Sequence, residues 1–260
     1  MTAWAALAII GAGTGAGLIN AVVGSGTLIT FPVLLALGYP PVTANVSNNL
    51  GLVFGSMAGT VGYRQDLAGT RPLLTRLLPS SLIGGVLGAV LLLWLPARAF
   101  ATVVPVLIAL AVVLVVAQPR IAAATARRGS AGTGPAPGAG PAARVGVLGA
   151  AVYGGYFGAA QGVLLIGLLG ALLTEPLRRI VGVKNALASV DNGMAALTFL
   201  LLAPQRIDWA VVALISAGSI TGGLIGAIAG RRLPPAALRG VIVAVGLIAV
   251  VRLIPGLRHP

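Results

Sequence analysis

Lys184 and Asp191 stand seven positions apart in VGVKNALASVDNGMAALTFLLLA, residues 181–203, a segment that is otherwise uncharged. On a helix Lys184, Ala188 and Asp191 share one face at i, i+4 and i+7, and Asn185, Ser189 and Asn192 form the stripe beside it. Ionisable side chains inside a membrane are rare and are functional candidates by default. Asp191, the eleventh residue of the segment, would lie near mid-membrane, where a carboxyl group is a candidate proton carrier. Lys184 is a candidate anion ligand. The plainer alternatives are a lysine that snorkels to the surface from the helix start and an aspartate that only bonds a neighbouring helix.

A second polar region, residues 20–49, reads NAVVGSGTLITFPVLLALGYPPVTANVSNN and contains no charge. It breaks at Gly24-Ser25-Gly26, turns at Tyr39-Pro40-Pro41, and opens a helix bearing Asn45, Asn48 and Asn49. Ala160-Gln161-Gly162 is a corresponding break upstream of Lys184 and Asn185. Broken backbone at membrane depth is tolerated only where it meets protein partners or lines a cavity. A broken helix also offers free N–H groups with partial positive charge, which suit an anion. Gly24, Gly26 and Gly162 allow close backbone approach, and Ser25 and Gln161 add hydrogen-bonding groups; the alternative is close helix packing through small residues. The substrate-binding set read from the sequence is therefore Gly24, Ser25, Gly26, Asn48, Asn49, Gln161, Gly162, Lys184 and Asn185, with Asp191 for proton coupling.

The elements that must position these residues are membrane spans. The chain has 260 residues, 58% of them hydrophobic and 8% charged, and residues 1–63 contain no charged side chain. Residues 77–95, 99–117, 145–174 and 209–230 are also uncharged runs. A span needs about 20 predominantly apolar residues, and continuous runs of this kind do not fit the alternating ten-residue segments of a transmembrane barrel. An all-α polytopic membrane protein follows, with the first segment read as an uncleaved span because it lacks a basic n-region. The net charge of +13 lies between apolar runs rather than on a soluble face, which argues against nucleic acid. There is no cysteine, and the single histidine, His259, is beside the C-terminus. No metal cluster, nucleophile triad or phosphate loop is legible, so no cofactor and no enzymatic activity are expected.

The chain divides into two halves. Segments at about 3–23, 26–37, 42–63, 77–95 and 99–117 form residues 1–117, a first transmembrane repeat. Residues 118–144, rich in Gly, Pro, Ala and Arg, read as a flexible cytoplasmic linker. Segments at about 145–158, 160–173, 181–203, 209–230 and 236–254 form residues 145–260, the second repeat. SSLIGGVLGA at 80–89 matches GSITGGLIGA at 218–227 with an offset of 138, and an offset of 136 pairs Gly26 with Gly162, Asn48 with Lys184 and Asn49 with Asn185. The glycines of the first match read as packing positions. Basic residues collect in cytoplasmic loops. An odd number of crossings per half puts thirteen of them on one side and four on the other, whereas four crossings would give ten against seven. Odd crossings imply inverted-topology repeats with both termini outside the cytoplasm, a common plan for secondary transporters with a midplane site. The first two segments of each half are either re-entrant or thinly spanning.

Residues 17–51, the paired halves, and YGGYFGAAQGVLL at 153–165 together resemble the TauE/SafE family of sulfite-exporter and organosulfur-permease-like membrane proteins. The specific parts are the Gly-rich break before a short segment centred on Phe31-Pro32 and the run from Ala44 to Leu50. The resemblance implies secondary transport of a small anion, such as sulfite or a sulfonate, and two halves of four spans. The expectation is a proton-coupled permease of the bacterial inner membrane, with an anion channel and a non-transporting membrane scaffold as alternatives. Its partners would be a small anion and the lipid bilayer, with a homo-oligomer left open.

Overall fold

The computed structural model describes residues 1–130 and 140–229, together with 240, 242–245 and 247–248. Nine α-helices occupy the first two stretches: α1 (Ala3–Val22), α2 (Thr27–Ala36), α3 (Pro41–Gly62), α4 (Arg71–Trp94), α5 (Ala97–Ser130), α6 (Pro141–Tyr156), α7 (Gln161–Leu172), α8 (Leu177–Leu202) and α9 (Trp209–Ala229). No strand occurs among the described residues. Prolines set several starts: Pro41 and Pro141 occupy the first helical turn, where a missing N–H costs nothing. Five helices (α1, α4, α5 as far as Arg127, α8, and α9 as far as Ile228) are long and apolar enough to cross a membrane. At 22 residues α3 is long enough too, but its amides at Asn45, Asn48 and Asn49 make it more polar.

Two sequence expectations need adjustment. Helix α5 does not stop near residue 117 but continues to Ser130, so the first part of the 118–144 segment is helical. Its Ala and Arg content favours helix, and Ile121 and Thr125 pack on Gly167 and Gly170 of α7, which outweighs Pro119. Residues 131–139 and most of the segment at 236–254 lie outside the described residues.

The halves are interleaved through close glycine contacts. A side-chain carbon on Gly84 or Gly88 of α4 would collide with the α6 backbone at Leu148 or Val152, and one on Gly222 or Gly226 of α9 would collide with the α1 backbone at Thr14 or Leu18. The same correspondence extends inward. Gly85 packs on the Asp191 backbone of α8, and Gly223 packs on the Gly55 backbone of α3. Ser81 Oγ donates to the Leu187 carbonyl at 2.7 Å, and Ser219 Oγ donates to the Gly51 carbonyl at 2.9 Å. Each half thus sends its fourth helix to pack on the first and third helices of the other half.

These contacts also give direction. Residues advance together along α1 and α9, along α3 and α9, along α4 and α6, and along α4 and α8. Helices α3 and α8 cross in opposite senses, with Asn49 near Asn192 and Thr60 near Ser189. So α1, α3 and α9 point one way, and α4, α6 and α8 point the other. Trp4, Trp94 and Trp209, all exposed, then fall at one end of the bundle. Arg64, Arg71, Arg76, Arg144, Arg178 and Arg179 fall at the opposite end.

The short helices fold back. Helix α2 has 10 residues, about 15 Å at 1.5 Å per residue, half of a hydrocarbon core of about 30 Å. It runs against α1, with Gly26 on Ala16 and Ile29 on Gly15, and the Tyr39 hydroxyl reaches the Met1 sulfur at 3.9 Å. The α1–α2 hairpin therefore returns to the end of the bundle where it began. Helices α6 and α7 form the matching hairpin, with Leu168 against Gly146. After its hairpin the first half passes the length of the bundle three times, in α3, α4 and α5.

An aromatic cluster sits beside one break: Phe31 meets Phe157 edge-to-face with centroids 5.2 Å apart, and Phe100 meets Tyr156 at 5.6 Å. Gly222→Leu should destabilise the protein by about 1–3 kcal/mol or prevent its assembly, since overpacking at a backbone contact has no room to relax. Gly149, with no atom near its missing side chain, should accept leucine within about 0.5 kcal/mol. Thermal unfolding of both variants in detergent checks the contrast.

Candidate functional site

The two hairpin tips meet at the centre of the molecule. Gly24 and Gly158 both take positive φ, 88° and 75°, a region glycine enters without strain. Ala160, which precedes α7, has φ 59° and bears the steric cost that a Cβ brings there. The Gly162 N–H donates to the Gly24 carbonyl at 3.0 Å, joining one break to the other. A Cβ at either glycine would strike the facing chain.

Breaking a helix inside the protein leaves its last carbonyls without partners. Those of α1 are satisfied from α8: Lys184 Nζ donates to the Asn20 carbonyl at 2.9 Å, and Asn185 Nδ2 donates to the Ala21 carbonyl at 3.1 Å. Lys184 also donates to Asn185 Oδ1 at 2.7 Å. A cation at a helix C-terminus also offsets the partial negative charge there. At the end of α6, Asn45 Nδ2 of α3 donates to the Tyr156 carbonyl at 3.0 Å. Each broken helix is thus capped by the third helix of the opposite half.

The crossing of α3 and α8 is a polar seam. Asn49 Nδ2 donates to Asn192 Oδ1 at 3.4 Å, and Ser56 Oγ accepts from Asn192 Nδ2 at 3.3 Å and Asn20 Nδ2 at 3.0 Å. Thr60 and Ser189 hydroxyls lie 2.8 Å apart. Asn48 turns instead toward α2, donating to Thr27 Oγ1 at 3.3 Å and accepting from Thr30 Oγ1.

Between the tips and the seam lies a cavity of about 20 Å³, enough for a water molecule but not for an oxyanion. Of the residues singled out from the sequence, Gly24, Asn48, Asn49, Gln161, Gly162 and Lys184 line it. The other four do not. Ser25 is fully buried with its hydroxyl unpaired, Gly26 packs on Ala16, and Asn185 is used as a cap. Asp191 lies one residue behind the wall, where Gln161 Nε2 donates to its Oδ2 at 2.5 Å. Its carboxyl group fits because Gly154 of α6 and Gly85 of α4 present no side chain there, and its Oδ1 has no partner. Asp191 is 0% exposed.

The cavity also takes residues that the sequence reading did not select: Asn20, Thr27 and Asn192, with Leu52, Phe157, Gly158 and Ala188. Asn192 was legible as part of the polar stripe beside Asp191. Asn20 and Thr27 flank the first break, and an uncharged polar residue on either side of a break was the signal available for them. Among the described residues no group of His, Cys, Asp or Glu could hold a metal ion.

A helical bundle with five helices long and apolar enough to cross a bilayer, whose only fully buried charged side chains among the described residues face its centre, is a multi-pass membrane protein. Residues 9–253 match the family model described as sulfite exporter TauE/SafE, and the chain belongs to that family. It is also 34% identical over 94 residues to a probable membrane transporter protein, ORF9, from Sinorhizobium sp, a match that takes in 36% of this chain and 36% of that protein. The chain thus aligns with about a third of the length of the curated relative it matches. No solved structure matches it.

Lys184→Met should cost about 1–3 kcal/mol of stability, because the Asn20 carbonyl and Asn185 Oδ1 are left buried without a donor. An unchanged thermal midpoint in detergent would mean that the cap contributes nothing.

Proposed function

We propose that this protein is a secondary transporter for a small anion of the sulfite, sulfonate or related organosulfur class, coupled to protons and housed in the bacterial inner membrane. The observation that carries the reading is the convergence of two helix breaks, an amide-rich seam and one lysine on a single enclosed cavity. Asn49, Asn192, Gln161 and Lys184, side chains able to donate hydrogen bonds, line it. The family of the chain and the name of its Sinorhizobium relative support the same class of activity.

The repeats in this reading are of inverted topology, divided into residues 1–117 and 145–260 with a cytoplasmic connection between them. The opposed directions of α3 and α8 and the crossed packing of α4 and α9 support it, as does the excess of arginines at the end away from the tryptophans, with Arg98 and Arg206 at the tryptophan end. Arginines at one end mark the cytoplasmic face. Transport requires the water-sized cavity to widen alternately toward each face. The seam of α3 and α8 is where it would part, because hydrogen bonds re-form more readily than interlocked glycine faces. Gln161 then relays the state of Asp191 to the cavity: a proton on the carboxyl group lets Oδ2 or Oδ1 donate, which reverses its relation to the amide.

Uptake of labelled sulfite, sulfate, thiosulfate and sulfonates into proteoliposomes tests the function. Saturable flux that responds to a pH gradient is expected; large passive currents would indicate a channel, and no uptake of any anion would end the reading. Asp191→Asn should abolish pH-driven flux while sparing anion exchange, and unchanged pH-driven flux would remove Asp191 from coupling. A reporter fused within 131–139 should be cytoplasmic and one at the C-terminus periplasmic; both on one side would refute inverted repeats.

A further inference from the structure

We infer that the site selects its substrate by charge, taking a monoanion and rejecting a dianion of the same shape. The inference rests on the proposed transport function and deepens it. Lys184 is the one ionisable side chain among the described residues lining the cavity. It and Asp191 are the only charged residues among the fully buried ones described. The helix termini do not add to this charge. The C-terminal ends of α1 and α6 and the N-terminal ends of α2 and α7 arrive together at the two breaks, so their partial charges of opposite sign offset each other.

The ammonium group carries three N–H donors, of which two are committed to the Asn20 carbonyl and Asn185 Oδ1. One remains for an anion oxygen, beside the neutral amides of Asn49, Asn192 and Gln161. Lys184 fixes the upper bound on negative charge, and Asp191 can only lower it. With a proton on its carboxyl group, the site has one positive charge, which a monoanion matches and a dianion exceeds by one. With Asp191 ionised, the positive charge of Lys184 is already countered, and a dianion leaves two negative charges uncompensated. In either state a dianion brings an unpaired charge into a cavity that excludes bulk water, which is strongly unfavourable. The amides can hydrogen-bond an oxyanion but cannot neutralise it.

Methanesulfonate and sulfate test this directly, since both are tetrahedral at sulfur, of similar size, and differ by a methyl group in place of a charged oxygen. Exchange flux of each labelled anion is measured in proteoliposomes of the full chain at matched ionic strength. Methanesulfonate should exceed sulfate by a factor on the order of a hundred, the effect of one unpaired buried charge. Asp191→Asn, which holds the site at the single positive charge of Lys184, should keep the preference for methanesulfonate, while Lys184→Gln should abolish exchange of both. Sulfate exchange equal to or above that of methanesulfonate overturns the charge rule and leaves the transport reading standing. Exchange of neither anion, together with no uptake of sulfite or thiosulfate, overturns both. Loss of the preference in Asp191→Asn also overturns the rule, because a single positive charge would then admit two negative ones.

Discussion

A helix that stops inside a membrane leaves carbonyl and N–H groups where no water can reach them, and the rest of this structure follows from how that is resolved. Helix α1 ends at Val22 and α6 at Tyr156, both within the protein. The Asn20 and Ala21 carbonyls are taken up by Lys184 and Asn185, the Tyr156 carbonyl by Asn45, and the Gly24 carbonyl by the Gly162 N–H. Every one of these bonds crosses from one half of the chain to the other. Each hairpin closes part of its break within its own half, as Gly24 N–H on the Ile19 carbonyl and the Tyr153 hydroxyl on the Ala159 carbonyl do, and takes the rest of its caps from the other half. The same requirement brings a lysine and several amides to one point, because those are the side chains that can cap carbonyls without leaving a cavity dry.

Close assembly depends in turn on glycine. Capping across halves requires α8 to approach α1 and α3 to approach α6, and those approaches are held by α4 and α9 lying directly on neighbouring backbone. Gly84 and Gly88 on one side and Gly222 and Gly226 on the other leave no space for a side chain. Two trios result, α1 with α3 and α9, and α4 with α6 and α8, each drawn from both halves. Within a trio the helices interlock through glycine against backbone, with isolated hydrogen bonds such as Ser81 to Leu187 and Ser219 to Gly51 beside those contacts. Between the trios, at α3 and α8, the contact consists of amides and hydroxyls. Two surfaces of such different character give the molecule one plane along which it can yield.

Much of this was legible in the sequence, because in a membrane protein composition and periodicity speak directly about environment. Uncharged runs located the helices to within a few residues, and the GGxxG match at an offset of 138 identified the positions that make equivalent contacts. The break at Gly24-Ser25-Gly26 and the one at Gln161-Gly162 meet, as their correspondence suggested. What the pattern could not convey was which face of each segment turns inward. Ser25 and Gly26 belong to the same break as Gly24, yet only Gly24 reaches the cavity, since the non-helical chain between α1 and α2 carries Gly26 onto Ala16 instead. Asn185, read as a ligand, caps the Ala21 carbonyl; Asn20, read only as the start of the polar stretch, lines the cavity. The end of α5 was misplaced for a different reason: Ala and Arg suit a linker by composition, but they also favour helix, and the packing of Thr125 on Gly170 decides between the two.

The remaining question is why the charged residues occur on one side only. Asn48 and Lys184 occupy equivalent positions, as do Gly55 and Asp191. Asn48 is engaged by the Thr27 and Thr30 hydroxyls of α2, so a neutral amide suffices there. At the equivalent site Lys184 reaches past its own hairpin to the Asn20 carbonyl at the end of α1, where a cation is favoured by the partial negative charge of the helix end. Gly223 packs on Gly55 and Gly85 packs on Asp191 with the same backbone geometry, so a carboxyl group has been introduced into a groove whose other copy has none. It is accommodated only because Gly154 and Gly85 both leave room for it. The symmetry of the fold supplies the enclosure, and the departures from symmetry at these two positions supply the charge. A fully symmetric site with two lysines would carry twice the positive charge at the same point, and under the charge rule proposed above it would admit a dianion.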